Sequence, residues 1–190
     1  MVGAILTQNT SWTNVEKALA NLKRAKCLEP SRLREIEIPV LTELIRSAGF
    51  TTRKPKRLKT LAEFLGREYG DVVETMRGGD LATQRAQLLA LNGIGPETAD
   101  AILLYAAEQP IFVVDAYTRR IFYRMGWVDE TVPYAELQQL FMEHLPHNVA
   151  LFNEFHALLV LHAKDTCTKR APSCGKCPLN RMCAKRGVGD

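Results

Sequence analysis

The sequence lacks the long apolar segments that mark membrane proteins and exported proteins. It contains no run of eighteen apolar residues, and no basic-then-apolar leader precedes a cleavage site. Linkers rich in serine, glycine and proline are missing as well, whereas 46% of the residues are apolar. We therefore expect no membrane span, no export and no disordered region, and we expect a cytoplasmic location.

Patterns typical of β-strands are also scarce. Valine and isoleucine are scattered without long period-two runs, whereas many segments carry apolar residues at helical spacing. A chain of 190 residues can bury one substantial core or two small lobes. The sequence therefore predicts an all-α fold.

The formal net charge of +4 is small, but the charges are unevenly placed. The segment 46–60 holds six basic residues and no acidic one, and the segment 164–190 holds seven basic residues against two acidic ones. These segments carry +6 and +5, so the rest of the chain carries −7. Such asymmetry is typical of a protein that binds a polyanion, although a charge run can also be an ordinary solvated face.

Two helical patterns meet at Asn92–Gly95, inside the segment 88–120. An apolar stripe leads in through Leu88 and another leads out through Ile102. Glycine permits tight turns and close backbone approach, and Pro96 suits the first turn of the second helix. Free amides at such a helix start can bind a phosphate. The alternative is an ordinary αα-hairpin without a ligand.

Four of the five cysteines lie within one short segment, at Cys167, Cys174, Cys177 and Cys183, and Cys27 lies apart. Their spacing is C-x6-C-x2-C-x5-C. In a chain with no export signal, four such thiols favour metal ligation over disulfides. Either zinc or a 4Fe-4S cluster can take four cysteines.

The stretches LNGIGPETA and VVDAYTRRI resemble the helix-hairpin-helix and Gly/Pro-Asp signature of the endonuclease III superfamily of DNA glycosylases. The cysteine spacing is also the one found in that family, where it holds a 4Fe-4S cluster, so the resemblance favours iron–sulfur over zinc. It implies two helical lobes, one from 1–20 and 115–190 with the iron–sulfur loop at 167–183. The other lobe is 21–114, with the hairpin at 83–107.

The resemblance assigns catalysis to Asp115, which matches the invariant aspartate of the signature and stabilises the sugar cation or positions the attacking water. Asp115 also stands where a helix N-cap belongs, and capping amides would keep its carboxylate charged. Bifunctional members of the family carry a lysine where this chain has Glu97. The amine of that lysine forms an imine with the sugar, and a glutamate cannot form one. The alternative is that the Glu97 carboxylate only interacts favourably with the dipole of its own helix.

The resemblance also implies DNA contacts outside the active site. Gln8 would enter the gap left by an extruded base, or else make local hydrogen bonds at a helix end. Phe50 would wedge into the duplex, or else lie in the core. The remaining contacts fall on the hairpin and on two lysines that approach the backbone: Gly93, Ile94, Gly95, Lys54 and Lys56.

These features together predict a monomeric, nucleoid-associated, prokaryotic-like enzyme that acts on damaged double-stranded DNA. Glu97 favours a monofunctional glycosylase, and a carboxylate beside the base favours cationic alkylated purines. The chain resembles the endonuclease III-type 3-methyladenine glycosylase branch in its ILTQNT stretch and in Glu97. The alternatives are a uracil, mismatched-thymine or oxidised-pyrimidine glycosylase, and a noncatalytic DNA-binding module.

Overall fold

A computed structural model describes residues 1–189, which form ten α-helices, three short 3₁₀ helices and no strand. The predicted all-α fold is therefore confirmed. None of the helices in this described range has both the length and the apolar composition needed to cross a membrane. The chain divides into two compact units, one spanning Met1–Gln109 and the other beginning at Pro110.

The first unit contains seven α-helices and two 3₁₀ helices, Arg46–Ala48 and Val73–Met76. The α-helices are α1 (Val2–Leu6), α2 (Trp12–Arg24), α3 (Pro30–Glu35), α4 (Ile38–Leu44), α5 (Lys54–Tyr69), α6 (Leu81–Leu89) and α7 (Pro96–Tyr105). The longest of them, α5, packs against α1, α3 and α4. Its buried apolar face follows helical spacing through Leu58, Leu61, Phe64 and Leu65.

Proline opens four of these helices. Pro30, Pro39, Pro55 and Pro96 stand in the first turns of α3, α4, α5 and α7. The first turn needs no backbone donor, and the fixed φ angle of proline suits a helix start. Much of the segmentation of this unit into short helices is therefore encoded locally.

The helices α6 and α7 form the predicted hairpin. Asp80 caps α6 by accepting a hydrogen bond from the Thr83 N–H at 2.8 Å. Asp100 on α7 is fully buried and binds Arg85 on α6 in a bidentate pair, with distances of 2.7 Å from Nε to Oδ1 and 3.1 Å from Nη2 to Oδ2. A paired, hydrogen-bonded charge can lie in the interior, so this contact ties the two helices together.

The second unit contains α8 (Ala116–Met125), α9 (Tyr134–His144), α10 (Val149–Asp165) and a 3₁₀ helix at Cys174–Lys176. Aromatic rings fill its core. Phe112 stacks on Phe141 with ring centroids 3.8 Å apart, and Phe152 and Phe155 meet Phe112 edge-on. These packed rings join the segment before α8 to α9 and α10, and α8 itself packs against α10.

The sequence-based lobes remain a prediction. Helix α1 contacts α2, α5 and α7 inside the first unit, and the boundary between the compact units follows Gln109. The predicted lobes grouped residues 1–20 with 115–190 and placed the boundary before Asp115.

We expect the Arg85→Ala substitution to destabilise the first unit by about 3 kcal/mol, because it leaves the buried Asp100 carboxylate without its bidentate partner. Thermal unfolding should show a fall in Tm of several degrees. The matched control is Arg67→Ala, which removes an exposed arginine paired with Glu68 and should cost less than about 1 kcal/mol. Equal Tm values for the two variants would contradict the role given to the buried pair.

Candidate functional site

Asp115 is the N-cap of α8, as its position in the sequence predicted. Its Oδ1 accepts hydrogen bonds from the Thr118 backbone N–H at 2.7 Å and from the Thr118 hydroxyl at 2.9 Å. The other oxygen, Oδ2, lies 3.6 Å from Nε2 of His156. Both side chains are mostly buried, with 14% of Asp115 and 13% of His156 exposed. The carboxylate is therefore held in one orientation by groups on both of its oxygens.

Burial alone would raise the pKa of Asp115, because it disfavours the charged form. His156 and the two Thr118 donors act in the opposite direction, and together they hold the pKa of the Asp115 carboxyl below its usual value. Asp115 is consequently an anion at neutral pH in a largely water-excluded position. Such a carboxylate can stabilise a developing positive charge.

His156 on α10 lies against Asp115 in the structure. No sequence pattern indicated this partner, since the contact depends on the packing of α8 against α10. Further along α10, His162 instead directs its Nε2 atom toward Sγ of Cys177, at a distance of 3.7 Å.

The hairpin turn has the conformation that its glycines suggested. Gly93 has φ +83°, and a Cβ there would lie 2.1 Å from Nε of Arg57. Only glycine therefore fits at position 93. Gly95 precedes α7 in extended backbone and has no neighbour within 4 Å of an added Cβ, so this side of the turn is open.

Ile94 is the buried residue of the turn. Its side chain is buried, and its N–H donates to the Leu91 carbonyl at 3.1 Å. In residues 1–189 the N–H groups of Gly93 and Gly95 donate to no backbone acceptor. The amides of these two glycines are therefore among those that could meet a phosphate.

Gln8 follows α1 and bonds to the hairpin. Its Nε2 donates to the Gly93 carbonyl at 3.1 Å and to Oγ1 of Thr98 at 2.9 Å, and its Oε1 accepts from Nη1 of Arg57. The expected alternative to gap filling was a set of local hydrogen bonds at a helix end. The observed bonds instead join segments that are far apart in the chain.

Phe50 does not lie in the core. Half of its surface is exposed, and its backbone has φ +50° directly after Gly49 at φ +72°. Two left-handed residues in succession turn the chain sharply and leave the ring at the surface. The wedge role remains a prediction, but the core alternative does not hold.

Lys54 corrects one prediction. Its side chain is 1% exposed, and its Nζ donates to the carbonyls of Leu6 and Ala48, both at 2.8 Å. Leu6 ends α1 and Ala48 ends a 3₁₀ helix, so the ammonium satisfies carbonyls that helix ends leave without partners. Burial and the nearby charge of Arg57 lower the pKa of Lys54. Lys54 is therefore not available to the DNA backbone, whereas Lys56 is exposed and its backbone contact stays a prediction.

Glu97 lies in the first turn of α7 and is exposed. A carboxylate at this position interacts favourably with the helix dipole. Its exposure is also compatible with contact to a ligand.

The four motif cysteines line one cavity of the second unit, and apolar side chains line it with them: Ile121, Met125, Leu179 and Val188. Arg124, which is buried, donates to the carbonyls of Thr168 and Lys169 at 2.7 and 2.9 Å and approaches the Cys167 sulfur at 3.3 Å. In the described residues, no three histidine, cysteine or acidic side chains form a group that could hold a single metal ion. Four sulfur donors around a shared cavity are a ligand set that either zinc or a 4Fe-4S cluster can use.

A family model described as "HhH-GPD superfamily base excision DNA repair protein" matches residues 2–147. A Methanocaldococcus jannaschii protein, provisionally named a DNA repair glycosylase, is 46% identical over 98% of this chain and 84% of its own length. Endonuclease III of Sulfolobus acidocaldarius is 28% identical over 96% of this chain and 79% of its own length.

Solved structures agree. The crystal structure of an H. pylori 3-methyladenine DNA glycosylase bound to 1,N6-ethenoadenine superposes with a TM-score of 0.76 at 31% identity, covering 86% of this chain and 82% of that one. An endonuclease III–DNA complex superposes with a TM-score of 0.81 over 97% of this chain and 81% of that one, and its 22% identity shows the fold alone. The chain therefore belongs to the HhH-GPD superfamily of base excision DNA repair proteins.

Proposed function

We propose that this base excision DNA glycosylase is monofunctional and releases alkylated purines from double-stranded DNA. The observation that carries the proposal is Glu97 in the first turn of α7, at the position where the family resemblance implies a lysine in bifunctional members. A carboxylate cannot attack the sugar to form a Schiff base. The reaction then ends with hydrolysis of the N-glycosidic bond and an intact abasic site.

Asp115 supplies the negative charge that the reaction needs. As the bond to the base breaks, the deoxyribose gains oxocarbenium character, and a fixed carboxylate lowers the free energy of that state. Thr118 and His156 keep Asp115 ionised and oriented, so little reorganisation is needed during the reaction. Alternatively, the same carboxylate orients the attacking water.

The substrate class is inferred from the charges of the released base and of Glu97. Purines alkylated at N3 or N7 are cationic and leave readily, so they need little protonation by the enzyme. A carboxylate such as Glu97 facing the extruded base attracts a cationic purine and disfavours an anionic or electron-rich base. The 31% identity to a 3-methyladenine glycosylase supports the same class.

The four cysteines are proposed to hold a 4Fe-4S cluster: Cys167, Cys174, Cys177 and Cys183. The cluster would serve structure rather than the glycosidic reaction, because the loop around it has few buried apolar residues of its own. Arg124 and Arg120 bind carbonyls of this loop and fix its start at Cys167. The loop would thereby present Lys169, Arg170 and Lys176 toward phosphates.

Replacing Asp115 by asparagine should lower the single-turnover rate of base release roughly 10²–10³-fold, because asparagine removes the charge. Asparagine caps a helix about as well as aspartate, so the stability should change by only about 1 kcal/mol or less. Asp80→Asn is the matched control, since it makes the same exchange at the N-cap of α6. A D115N variant that releases base at the parental rate would refute the catalytic role.

A panel of duplexes containing alkylated, uracil, mismatched-thymine or oxidised bases tests the activity itself. We expect free base from the alkylated duplexes, strand breaks only after alkali, and no protein–DNA adduct upon borohydride reduction. Glu97→Gln should reduce release of cationic purines without changing affinity for undamaged DNA. A trapped adduct with the parent enzyme would contradict the monofunctional assignment, and release of only neutral bases would contradict the substrate class.

Purified protein should be brown, absorb broadly at the blue end of the visible range, and contain about four iron and four sulfide per chain. Cys174→Ser should lose this absorption. Cys27→Ser is the control and should keep it, because Cys27 lies outside the motif. Stoichiometric zinc in place of iron would refute the cluster.

A further inference from the structure

We propose that Gln8 and Arg57 are positioning residues that hold the hairpin turn in the shape that binds a phosphate. This inference rests on the DNA contact proposed for the glycine amides of the hairpin. It differs from the gap-filling role that the family resemblance implies for Gln8. It also gives Arg57 a role other than a direct phosphate contact.

The carboxamide of Gln8 is fully engaged. Both hydrogens of Nε2 have acceptors, one on the Gly93 carbonyl and one on the buried Thr98 hydroxyl, and Oε1 accepts from Arg57. Gly93 lies in the turn and Thr98 lies in the first helical turn of α7. Gln8 therefore braces the turn against the helix that follows it.

This brace fixes a particular peptide plane. The Gly93 carbonyl and the Ile94 N–H belong to the same planar peptide unit. Gln8 holds its oxygen, and the Leu91 carbonyl holds its N–H at 3.1 Å. With this unit held at both ends, the N–H groups of Gly93 and Gly95 on either side have defined directions. A phosphate then meets amides that are already oriented.

Arg57 holds the brace in place. Its Cγ, Cδ and Nε lie so close to Gly93 that an added Cβ would come within 2.1–2.9 Å of them. Its guanidinium donates to the Gln8 amide oxygen. One turn earlier on α5, Lys54 binds the Leu6 carbonyl at the end of α1, just before Gln8. The first turn of α5 thus fixes both the backbone and the side chain that reach the hairpin.

The two roles for Gln8 differ in what they require of the DNA. A residue that only fills the gap after base extrusion contributes nothing to binding of undamaged duplex. A residue that shapes the phosphate-binding turn contributes to binding of any duplex. In the structure, gap filling would require Gln8 to leave three hydrogen bonds.

The test measures the Kd for undamaged duplex DNA with Gln8→Ala, Arg57→Met and the double variant. Methionine keeps an unbranched stem over Gly93 and removes the guanidinium. Each single variant should weaken binding about tenfold. The double variant should also weaken binding by no more than about tenfold, because Gln8 and Arg57 act through one contact. Hydrogen exchange of the amides at 93–95 in the free protein should become faster in all three.

Gln87→Ala is the matched control. Gln87 lies on α6 of the same hairpin, but its amide oxygen accepts from the Tyr69 hydroxyl, away from the turn. We expect this variant to keep the parental Kd and the parental exchange at 93–95. If it weakens binding as much as Gln8→Ala, a general loss of hairpin stability explains the data and the inference fails.

Other outcomes would also overturn the inference. An unchanged Kd with slower base release would leave gap filling as the role of Gln8. A fall of about one in the slope of log K against log salt for Arg57→Met would indicate that Arg57 binds a phosphate directly. Binding of undamaged DNA does not depend on which base is released, so these results stand apart from the lesion panel.

Discussion

This structure depends on supplying hydrogen-bond donors to the backbone carbonyls at the ends of its short helices. Every α-helix leaves its last carbonyls without intrahelical partners, and a chain built from many short helices has many of them. Basic side chains supply the missing donors. Lys54 binds Leu6 and Ala48, and Arg120 binds Ala163 near the end of α10. Arginine and lysine near helix C-termini also interact favourably with the dipole.

This use of basic side chains changes the meaning of the charge pattern. The run at 46–60 suggested a polyanion surface, but several of its side chains make contacts within the protein, either buried or at the surface. Lys54 is buried, Lys59 donates to the Arg34 carbonyl, and Arg46 pairs with Glu43. Lys56 and Arg53 remain exposed. The phosphate contacts proposed for this unit therefore depend more on oriented hairpin amides than on the number of cations, which makes the geometry of the turn important.

The sequence predicted those parts of the site that local chemistry determines. The glycine turn, Pro96 in the first turn of α7 and Asp115 as N-cap all follow from preferences within a few residues, and the structure has each of them. The burial of Lys54 and the bonds of Gln8 to the hairpin depend on segments 48 and 85 residues away. A single sequence carries no pattern for such contacts, and here a lysine in a basic run looked like a surface residue.

At Asp115, one set of contacts serves folding and would also serve the proposed reaction. Its pKa is lowered in the folded protein, so its stabilising effect is present above the ordinary carboxyl pKa near 3.8 and disappears as the pH falls through the lower folded value. The ionised form is thus the one that caps α8 and also the one that can stabilise a sugar cation. Thr118 donates both of its hydrogen bonds to the oxygen Oδ1, while Oδ2 faces His156. The cap and His156 therefore fix in place the charge on which the proposed reaction depends.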